Sequence, residues 1–416
     1  MRIAYIDQYF STRDMPGGTR AYEFARRLAE RGHEVHVVTM DTGVDQPSGT
    51  WHTSQVDGVT VHWLPVPYSN HMPYRSRIKA FFRFAARSGA RAAAVRPDVV
   101  FASSTPLTVA LPGIFASRLR RVPFVFEVRD LWPELPIEIG ALRNPLGKRL
   151  AFLLARAAYH NASHVIALSP GMAEGVVGYG YPRERITVVP NGCDLDLFDD
   201  VDAEDVRRFR AARPWLQERP LVVYAGTFGT INGVDYLVRL AAEMRDRDPD
   251  VRFLLVGEGR ELAATRRLAE EIGVLGRSLF FEPPAPKGEM PVLLRAATVA
   301  TSVFLPLPGM RANSANKFFD ALAAGRPVVL NYGGWQADLL RETGAGIVLD
   351  YHDVTGAADV LGGALRDSAW LARASAAARQ LAVDQFSRDE LFARFEQALL
   401  GDLRPDPAPS SAAGVR

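Results

Sequence analysis

The chain has 416 residues, of which 48% are hydrophobic and 23% are charged. This composition is typical of a folded globular protein and excludes an intrinsically disordered one, and the length predicts two domains. A net charge of +2 gives no indication of a nucleic-acid partner, and the single cysteine, Cys193, excludes an internal disulfide bond. We therefore expect a cytoplasmic protein that binds no nucleic acid.

The first half of the chain alternates short apolar runs with helical segments. An amphipathic stretch at 20–31, with Phe24 and Leu28 on one side and Gly32 after it, predicts the first helix. Apolar runs between such segments are typical of a parallel sheet that helices cover on both faces. They predict strands at 3–6, 35–39, 59–64, 99–102, 124–128, 165–168 and 186–189.

The same alternation begins again after a polar stretch at 194–220. Because the second set of apolar runs repeats the pattern of the first, it predicts a second covered parallel sheet. Its strands are expected at 221–225, 253–256, 279–281, 301–305, 327–331 and 347–349.

Two sets of this kind predict an α/β fold of two Rossmann-like domains, residues 1–193 and 194–384, facing a cleft. Ligands of such folds bind at the carboxyl ends of the strands, which line the cleft. We expect the segment 385–400, helical from Phe386, to cross back to the first domain. The Pro-rich tail, 401–416, is expected to be disordered.

Three glycine-rich turns follow predicted strands. Gly17 and Gly18 lie between the first strand and its helix, while 226–229 and 257–259 follow two strands of the second half. Glycine lets backbone N–H groups approach an anionic ligand, although many glycines simply end strands. The candidate ligand contacts are Gly17, Gly18, Gly226, Thr227, Gly257 and Glu258. No turn has the G-x-G-x-x-G form, so a nicotinamide or flavin is disfavoured and no cofactor is predicted.

The segment 314–328 predicts a short helix with an unusual charge. Ser314 is a suitable N-cap, Gly325 a suitable C-terminal cap, and Pro327 cannot continue the helix. Lys317 falls in the first turn, where the helix dipole repels a cation unless an anion is bound there.

Asn316 and Asp320 are predicted to share the helix face of Lys317. This combination of an amide, a cation and a carboxylate suits the diphosphate and ribose of a nucleotide. The alternative is an ordinary amphipathic helix with a solvated polar pair and with Phe318 and Leu322 in the core.

Asp130 is the candidate for orienting a substrate hydroxyl, because it follows the predicted strand 124–128 and is expected to point into the cleft. Its alternatives are a helix cap or an ion pair with Arg129 or Arg20. Two Asp-x-Asp strings, 194–196 and 248–250, resemble metal-binding patterns. Both are more typical of turns and connections, so no metal site is predicted.

The segment 74–96 carries seven basic residues and no acidic one. Five of the cations recur every fourth residue, and Ile78, Phe81, Phe82 and Ala85 lie on another side of the helix. One interpretation is an interfacial helix on an anionic membrane. The other is an amphipathic helix that packs its phenylalanines on the first domain.

Several of these segments together resemble retaining glycosyltransferases of family 4, which have the two-lobed GT-B fold. The resemblance covers nearly all of residues 1–400 and is specific only in combination. Two segments, 126–134 and 314–317, are closer still to members that transfer N-acetylated deoxyamino sugars such as fucosamine. The whole set comprises 17–18, 28–39, 189–194 with Phe198, 224–226, 255–259 and 314–327.

The resemblance implies a nucleotide-sugar donor, with UDP as the expected nucleotide, and transfer with retention to a hydroxyl of a glycan, lipid-linked or small-molecule acceptor in polysaccharide biosynthesis. It implies that Lys317 and the Ser314 helix terminus hold the diphosphate, that Asp320 holds the ribose, and that Gly18 lies near the reacting end. With a lipid-linked acceptor, the protein would be peripheral on the inner face of the membrane.

The chain departs from the family pattern at two places. The family usually has two glutamates eight residues apart, but here Asp320 stands at the later position and Ala312 at the earlier one. Asn232 stands where a lysine is common, so phosphate neutralisation is expected to fall on Lys317 and backbone donors. Two other hypotheses stay open: a UDP-sugar 2-epimerase of the same fold, and a non-catalytic sugar-nucleotide-binding protein.

Overall fold

The computed structural model describes residues 1–42, 50–69 and 72–401. Two sheets, each covered by helices on both faces, account for most of this part of the chain. The tail predicted to be disordered lies outside the described residues except for Gly401.

The first domain contains a sheet of eight strands in the order β3-β4-β2-β1-β5-β6-β7-β8. All neighbouring strands are parallel except β3, which is antiparallel to β4. The strands are β1 Arg2–Asp7, β2 Glu34–Asp41, β3 His52–Val56, β4 Val59–Pro65, β5 Val99–Ser103, β6 Phe124–Val128, β7 His164–Ala167 and β8 Ile186–Val188. The helices are α1 Arg20–Glu30, α2 Tyr74–Ala94, α3 Ala110–Arg120, α4 Glu134–Glu138, α5 Pro145–Asn161 and α6 Pro170–Gly178.

The second domain has an all-parallel sheet of six strands in the order β11-β10-β9-β12-β13-β14. The strands are β9 Leu221–Ala225, β10 Arg252–Val256, β11 Leu279–Glu282, β12 Val299–Ser302, β13 Val328–Leu330 and β14 Gly346–Val348. The remaining helices are α7 Leu195–Asp199, α8 Ala203–Ala211, α9 Asp235–Arg247, α10 Leu262–Ile272, α11 Met290–Ala296, α12 Asn316–Ala323, α13 Trp335–Thr343, α14 Val354–Arg366, α15 Ser368–Phe386 and α16 Arg388–Leu400. Short 3₁₀ helices occur at Leu107–Val109, Arg183–Arg185, Thr230–Asn232, Lys287–Glu289 and Pro308–Ala312. The predicted fold of two Rossmann-like domains is confirmed.

Two strands differ from the prediction for identifiable reasons. β3 was not predicted because it lies at the sheet edge and its sequence, HTSQV, contains a single apolar residue. β12 ends at Ser302, three residues before the predicted end at 305. Phe304 is still buried but leaves the sheet, because its N–H donates to Asn331 Oδ1 at 2.9 Å.

The last helix begins two residues later than predicted and belongs to the core of the first domain. Phe386 ends α15, and α16 begins at Arg388. The Phe395 ring then packs against Phe24 and Phe101, with centroids 4.4 Å and 5.1 Å away. Within the described residues, no helix is both long enough and apolar enough to cross a membrane.

Candidate active site

The start of α12 differs from the prediction. Ala315, not Ser314, is the N-cap residue, and its side chain makes no capping hydrogen bond. The Ser314 hydroxyl instead accepts from the N–H of Asn191 at 3.2 Å, and its carbonyl accepts from Asn191 Nδ2 at 2.5 Å. Ser314 therefore ties the second domain to the end of the first, and the prediction of a serine cap was wrong. The first-turn N–H groups of α12 receive no side-chain cap.

Lys317 lies in the first turn of α12, as predicted, inside an aromatic pocket. Its Nζ is 4.8 Å from the ring centre of Tyr224 and 4.6 Å from that of Phe304. Its closest polar neighbour is the Tyr224 hydroxyl at 3.4 Å, and within the described chain it forms no ion pair. Burial lowers the pKa of Lys317 to about 7. A lysine whose pKa is lowered in this way becomes protonated again when an anion binds beside it, because the negative charge stabilises the ammonium form.

Gly226 makes room for this lysine. A Cβ at Gly226 would lie 3.2 Å from Lys317 Cε, closer than side chains normally pack. The Gly226 N–H donates to Val256 at 2.9 Å, so it is already used within the protein. Gly226 and Lys317, two of the candidate ligand contacts, therefore lie side by side, but the Gly226 N–H is not free to donate to an anion.

The turn 257–259 is glycine-rich because it packs against the turn 226–229. Gly257 has φ +144°, and a Cβ there would lie 2.0 Å from the Gly226 carbonyl oxygen. The Gly257 N–H donates to Glu282 at 3.1 Å, which again contradicts a free anion donor. The side chains of Thr227 and Glu258 are exposed. These two residues stay available to a ligand.

Asp320 is buried and paired with a residue that sequence reasoning missed. Its carboxylate accepts a short hydrogen bond from Lys287 Nζ, and that ammonium lies 3.8 Å from Asp194. Burial raises the pKa of Asp320 despite the Lys287 charge. Asp320 and Lys317, although neighbours in α12, therefore have separate sets of partners. A ribose at Asp320 would share the carboxylate with Lys287.

The group of buried charges formed by Lys287, Asp320 and Asp194 extends to Arg388, the first residue of α16. Arg388 Nε donates to Asp194 at 2.7 Å, and both side chains are buried. Burial alone would raise the pKa of Asp194, but Arg388 and Lys287 hold it at about 2. Only the position of Lys287 after β11, at a carboxyl strand end, could have indicated this residue from sequence.

Gly18 approaches α12 from the first domain. A Cβ at Gly18 would lie 2.5 Å from Asn316 Nδ2 and 3.9 Å from Arg129 Nη2. Gly17, beside it, has φ +122°, a conformation that favours glycine. The structure thus brings Gly18 and Asn316 together across the cleft. It also adds Arg129, which the sequence analysis considered only as a partner of Asp130.

Asp130 lies beyond the end of β6 and is partly buried. Its Oδ2 accepts from the Thr105 hydroxyl at 3.2 Å, and burial raises its pKa. Within the described residues it forms no ion pair, since Arg129 lies 3.7 Å from Asp7 and Arg20 pairs with the buried Glu127. Neither alternative ion pair is present, so the carboxylate stays available to a substrate hydroxyl.

The two Asp-x-Asp strings are both used in ion pairs. Asp194 pairs with Arg388 and Asp196 with Arg13, while Asp248 pairs with Arg366 and Asp250 with Arg219. In the described chain, no three histidine, cysteine or acidic side chains gather in a metal-binding arrangement.

Ala312 closes a contact between the domains. Its carbonyl accepts from the Ser169 hydroxyl at 2.5 Å, and a Cβ at Gly171 in α6 would lie 2.8 Å from the Ala312 Cβ. The position at which the family usually has a glutamate is therefore filled by packing against the first domain.

Replacement of Ala312 by glutamate is expected to separate the two domains instead of restoring a donor contact. Burying an unpaired carboxylate costs several kcal/mol, which opening the contact relieves. We expect a larger radius of gyration in X-ray scattering and at least about a tenfold loss of activity, since about 1.4 kcal/mol corresponds to tenfold. Ala312→Ser is the control. A glutamate variant with unchanged dimensions and higher activity would contradict this account.

Two facing α/β domains, each with a mostly parallel sheet covered by helices, are the architecture of the GT-B fold. Comparison with known proteins agrees. Residues 17–192 match the model of a glycosyl transferase 4-like domain, and 219–367 match that of glycosyl transferases group 1. The chain belongs to the family 4 glycosyltransferases and is an enzyme of that class.

Individual relatives cover from two thirds of the chain to nearly all of it. D-inositol 3-phosphate glycosyltransferase of Xylanimonas cellulosilytica is 29% identical over 413 residues, 94% of each chain. Escherichia coli WcaI, a putative colanic acid biosynthesis glycosyl transferase, is 24% identical over 66% of this chain and 69% of its own. The crystal structure of Anabaena HepE with UDP and glucose is 18% identical, with a TM-score of 0.74, and covers 96% of this chain and 100% of that one.

Proposed function

We propose that this enzyme transfers a sugar from a UDP-linked donor to a hydroxyl of a glycan, lipid-linked or small-molecule acceptor, with retention of configuration. The observation that carries the proposal is Lys317, an unpaired cation in the first turn of a helix that has no side-chain cap. A diphosphate at that terminus would satisfy both the ammonium and the free N–H groups.

In the proposed reaction, the bond between the sugar C1 and the diphosphate oxygen breaks, and its electron pair leaves with the diphosphate. Lys317 stabilises this developing charge. The acceptor oxygen bonds to C1 on the same face, and its proton passes to the departing phosphate. Asp130 orients the acceptor hydroxyl or the donor sugar, and Gly18 lies near the reacting end. Asp320 accepts from the ribose.

An N-acetylated amino sugar is the donor that we propose to test first. The support is the resemblance of 126–134 and 314–317 to transferases of such sugars. The relatives compared above are named for other compounds, inositol 3-phosphate and colanic acid. We also propose a cytoplasmic location on the inner face of a membrane, with a role in polysaccharide biosynthesis. The single, buried Cys193 suits a reducing compartment.

The test is release of UDP from a panel of UDP- and GDP-linked sugars, with and without added acceptors. A transferase is expected to hydrolyse its donor slowly without an acceptor and faster with one. Conversion of UDP-N-acetylglucosamine to a second UDP-sugar, without UDP release, would instead establish a 2-epimerase. A thermal shift with no turnover of any donor would indicate a sugar-nucleotide-binding protein.

Donor binding is expected to weaken as the pH rises above about 7. Below that pH, Lys317 is protonated before the donor binds; above it, the free enzyme has lost this proton and must take it up when the diphosphate binds. Calorimetry in buffers of different ionisation enthalpy should show uptake of about one proton per donor at alkaline pH. Lys317→Arg is the control, because a guanidinium stays charged. If the Lys317→Arg variant took up equally many protons on donor binding, Lys317 would not be the group that becomes protonated.

A further inference from the structure

The interpretation of α2 as a self-contained interfacial helix does not agree with its packing. Phe81 and Phe84 are buried in the first domain, and only Phe82 is exposed among the three phenylalanines. Gly89 of α2 lies so close to α3 that a Cβ there would be 2.9 Å from the Phe115 ring. The apolar side of α2 is therefore mostly core, and any membrane contact needs an apolar surface from elsewhere.

Such a surface is present on the two helices beside α2. α3 lies between α2 and α5 in the layer that covers one face of the first sheet. Each of α3 and α5 exposes a row of large apolar side chains at helical spacing, i, i+4 and i+7 or i+8. These side chains are between 41% and 65% exposed: Leu111, Phe115 and Leu119 on α3, and Leu146, Leu150 and Leu153 on α5. We call these six residues the apolar face.

The three helices that carry or adjoin the apolar face contain many basic residues and no acidic ones. Together α2, α3 and α5 contain eleven arginines and lysines and no aspartate or glutamate. The whole chain has a net charge of only +2, so positive charge is concentrated in this one layer and the remainder is net negative. Across residues 1–42, 50–69 and 72–401, none of these eleven cations forms an ion pair.

Two of these cations donate hydrogen bonds that join the helices of the layer. Arg118 donates to Asn161 Oδ1 at 2.6 Å, which joins α3 to α5, and Arg120 donates to the Ala93 carbonyl at 2.6 Å, which joins α3 to α2. Both acceptors are neutral. Exposed leucines beside unpaired arginines are what an anionic lipid bilayer complements, since acyl chains cover the apolar side chains and phosphates meet the cations.

We propose that the layer of α2, α3 and α5 is a docking surface for an anionic membrane, in which the apolar face enters the headgroup region and the cations of these helices contact lipid phosphates. This deepens the membrane location proposed above by naming the surface that would bind, and it holds for any donor sugar. The surface belongs to the helical layer of the first domain, whereas the donor residues Lys317 and Asp320 lie on α12 of the second domain. A bound enzyme would therefore keep its donor site open to the aqueous side.

The test is flotation of the full chain with phosphatidylcholine vesicles that contain phosphatidylglycerol, without any sugar nucleotide. The wild type is expected to float at low salt, to be released at high salt, and not to float with pure phosphatidylcholine. Leu150→Glu with Leu153→Glu should lower vesicle binding by at least about tenfold. Arg149→Gln and Arg156→Gln should each lower it about fivefold, the effect of one surface charge.

The matched control is Val360→Glu with Val383→Glu, on α14 and α15 of the second domain. These valines are 51% and 43% exposed, similar to the leucines, so both double variants should fold, which thermal unfolding checks. The control should float like the wild type. The proposal is overturned if the wild type does not bind anionic vesicles, or if the leucine variant binds them equally well. It is also overturned if the leucines instead mediate concentration-dependent dimers in sedimentation without vesicle binding.

Discussion

Replacement of Lys317 by methionine is expected to weaken binding of the sugar-nucleotide donor by about 10- to 100-fold and to lower turnover as well. A charge-assisted hydrogen bond contributes about 1.5–3 kcal/mol, and the same charge stabilises the departing diphosphate. Methionine has nearly the length of lysine and suits the aromatic pocket of Tyr224 and Phe304. The measurement is donor affinity by calorimetry together with the rate of UDP release.

Lys148→Met is the matched control for this experiment. Lys148 lies on α5 of the first domain and forms no ion pair within the described residues, so its loss should leave donor affinity unchanged. Unchanged donor binding together with unchanged turnover in the Lys317→Met variant would place the diphosphate elsewhere, and the assignment of the site would then be wrong. Retained binding with lost turnover would restrict Lys317 to the chemical step.

Replacement of Arg388 by methionine is expected to lower the free energy of unfolding by about 3–5 kcal/mol. The variant leaves Asp194 buried with Lys287, 3.8 Å away, as its remaining cation. Lys287 also serves Asp320, so both carboxylates then depend on one ammonium group. Because Arg388 begins α16, the loss should also loosen that helix from the first domain. Thermal and denaturant unfolding measure the effect.

Two variants separate the ion pair from a general effect on α16. Arg394→Met removes an exposed arginine from the same helix and should change stability by less than about 0.5 kcal/mol. Arg388→Met combined with Asp194→Leu removes both charges and should recover much of the loss, since no carboxylate is left unpaired. Equal losses in the Arg388 and Arg394 variants would refute a special role for the buried pair.

Much of the fold could be predicted because the apolar runs of buried strands are local signals. Both sheets, the first helix and the cap at Gly325 follow from periodicity and from the conformational freedom of glycine. β3 could not be found in this way, because an edge strand with polar side chains leaves no apolar run. The helix break at Ser387 was also missed. It depends on backbone hydrogen bonds that Cys193 forms with Phe386 and Arg388, the two residues that flank Ser387.

The candidate site was predicted only in part. The proximity of Gly226 to Lys317 and of Gly18 to Asn316 followed from the rule that strand ends line the cleft. The pairing of Asp320 with Lys287 did not, because these residues are 33 positions apart and each has an ordinary solvated alternative in sequence. The predictions of a helix cap at Ser314 and of a free N–H at Gly257 were also wrong. The hydrogen-bond partner of a hydroxyl or an N–H group depends on the tertiary fold and cannot be read from the local sequence.

By itself, the sequence determined the two covered sheets, the glycine-rich turns at their ends, and a lysine in the first turn of a helix. These are properties of short segments, set by periodicity and backbone sterics. Only the tertiary structure decided which charges neutralise one another, which N–H groups stay free, and which apolar side chains remain exposed on α3 and α5. Those outcomes depend on burial and on partners distant in the chain, because desolvation and pairing act through space and not along the sequence.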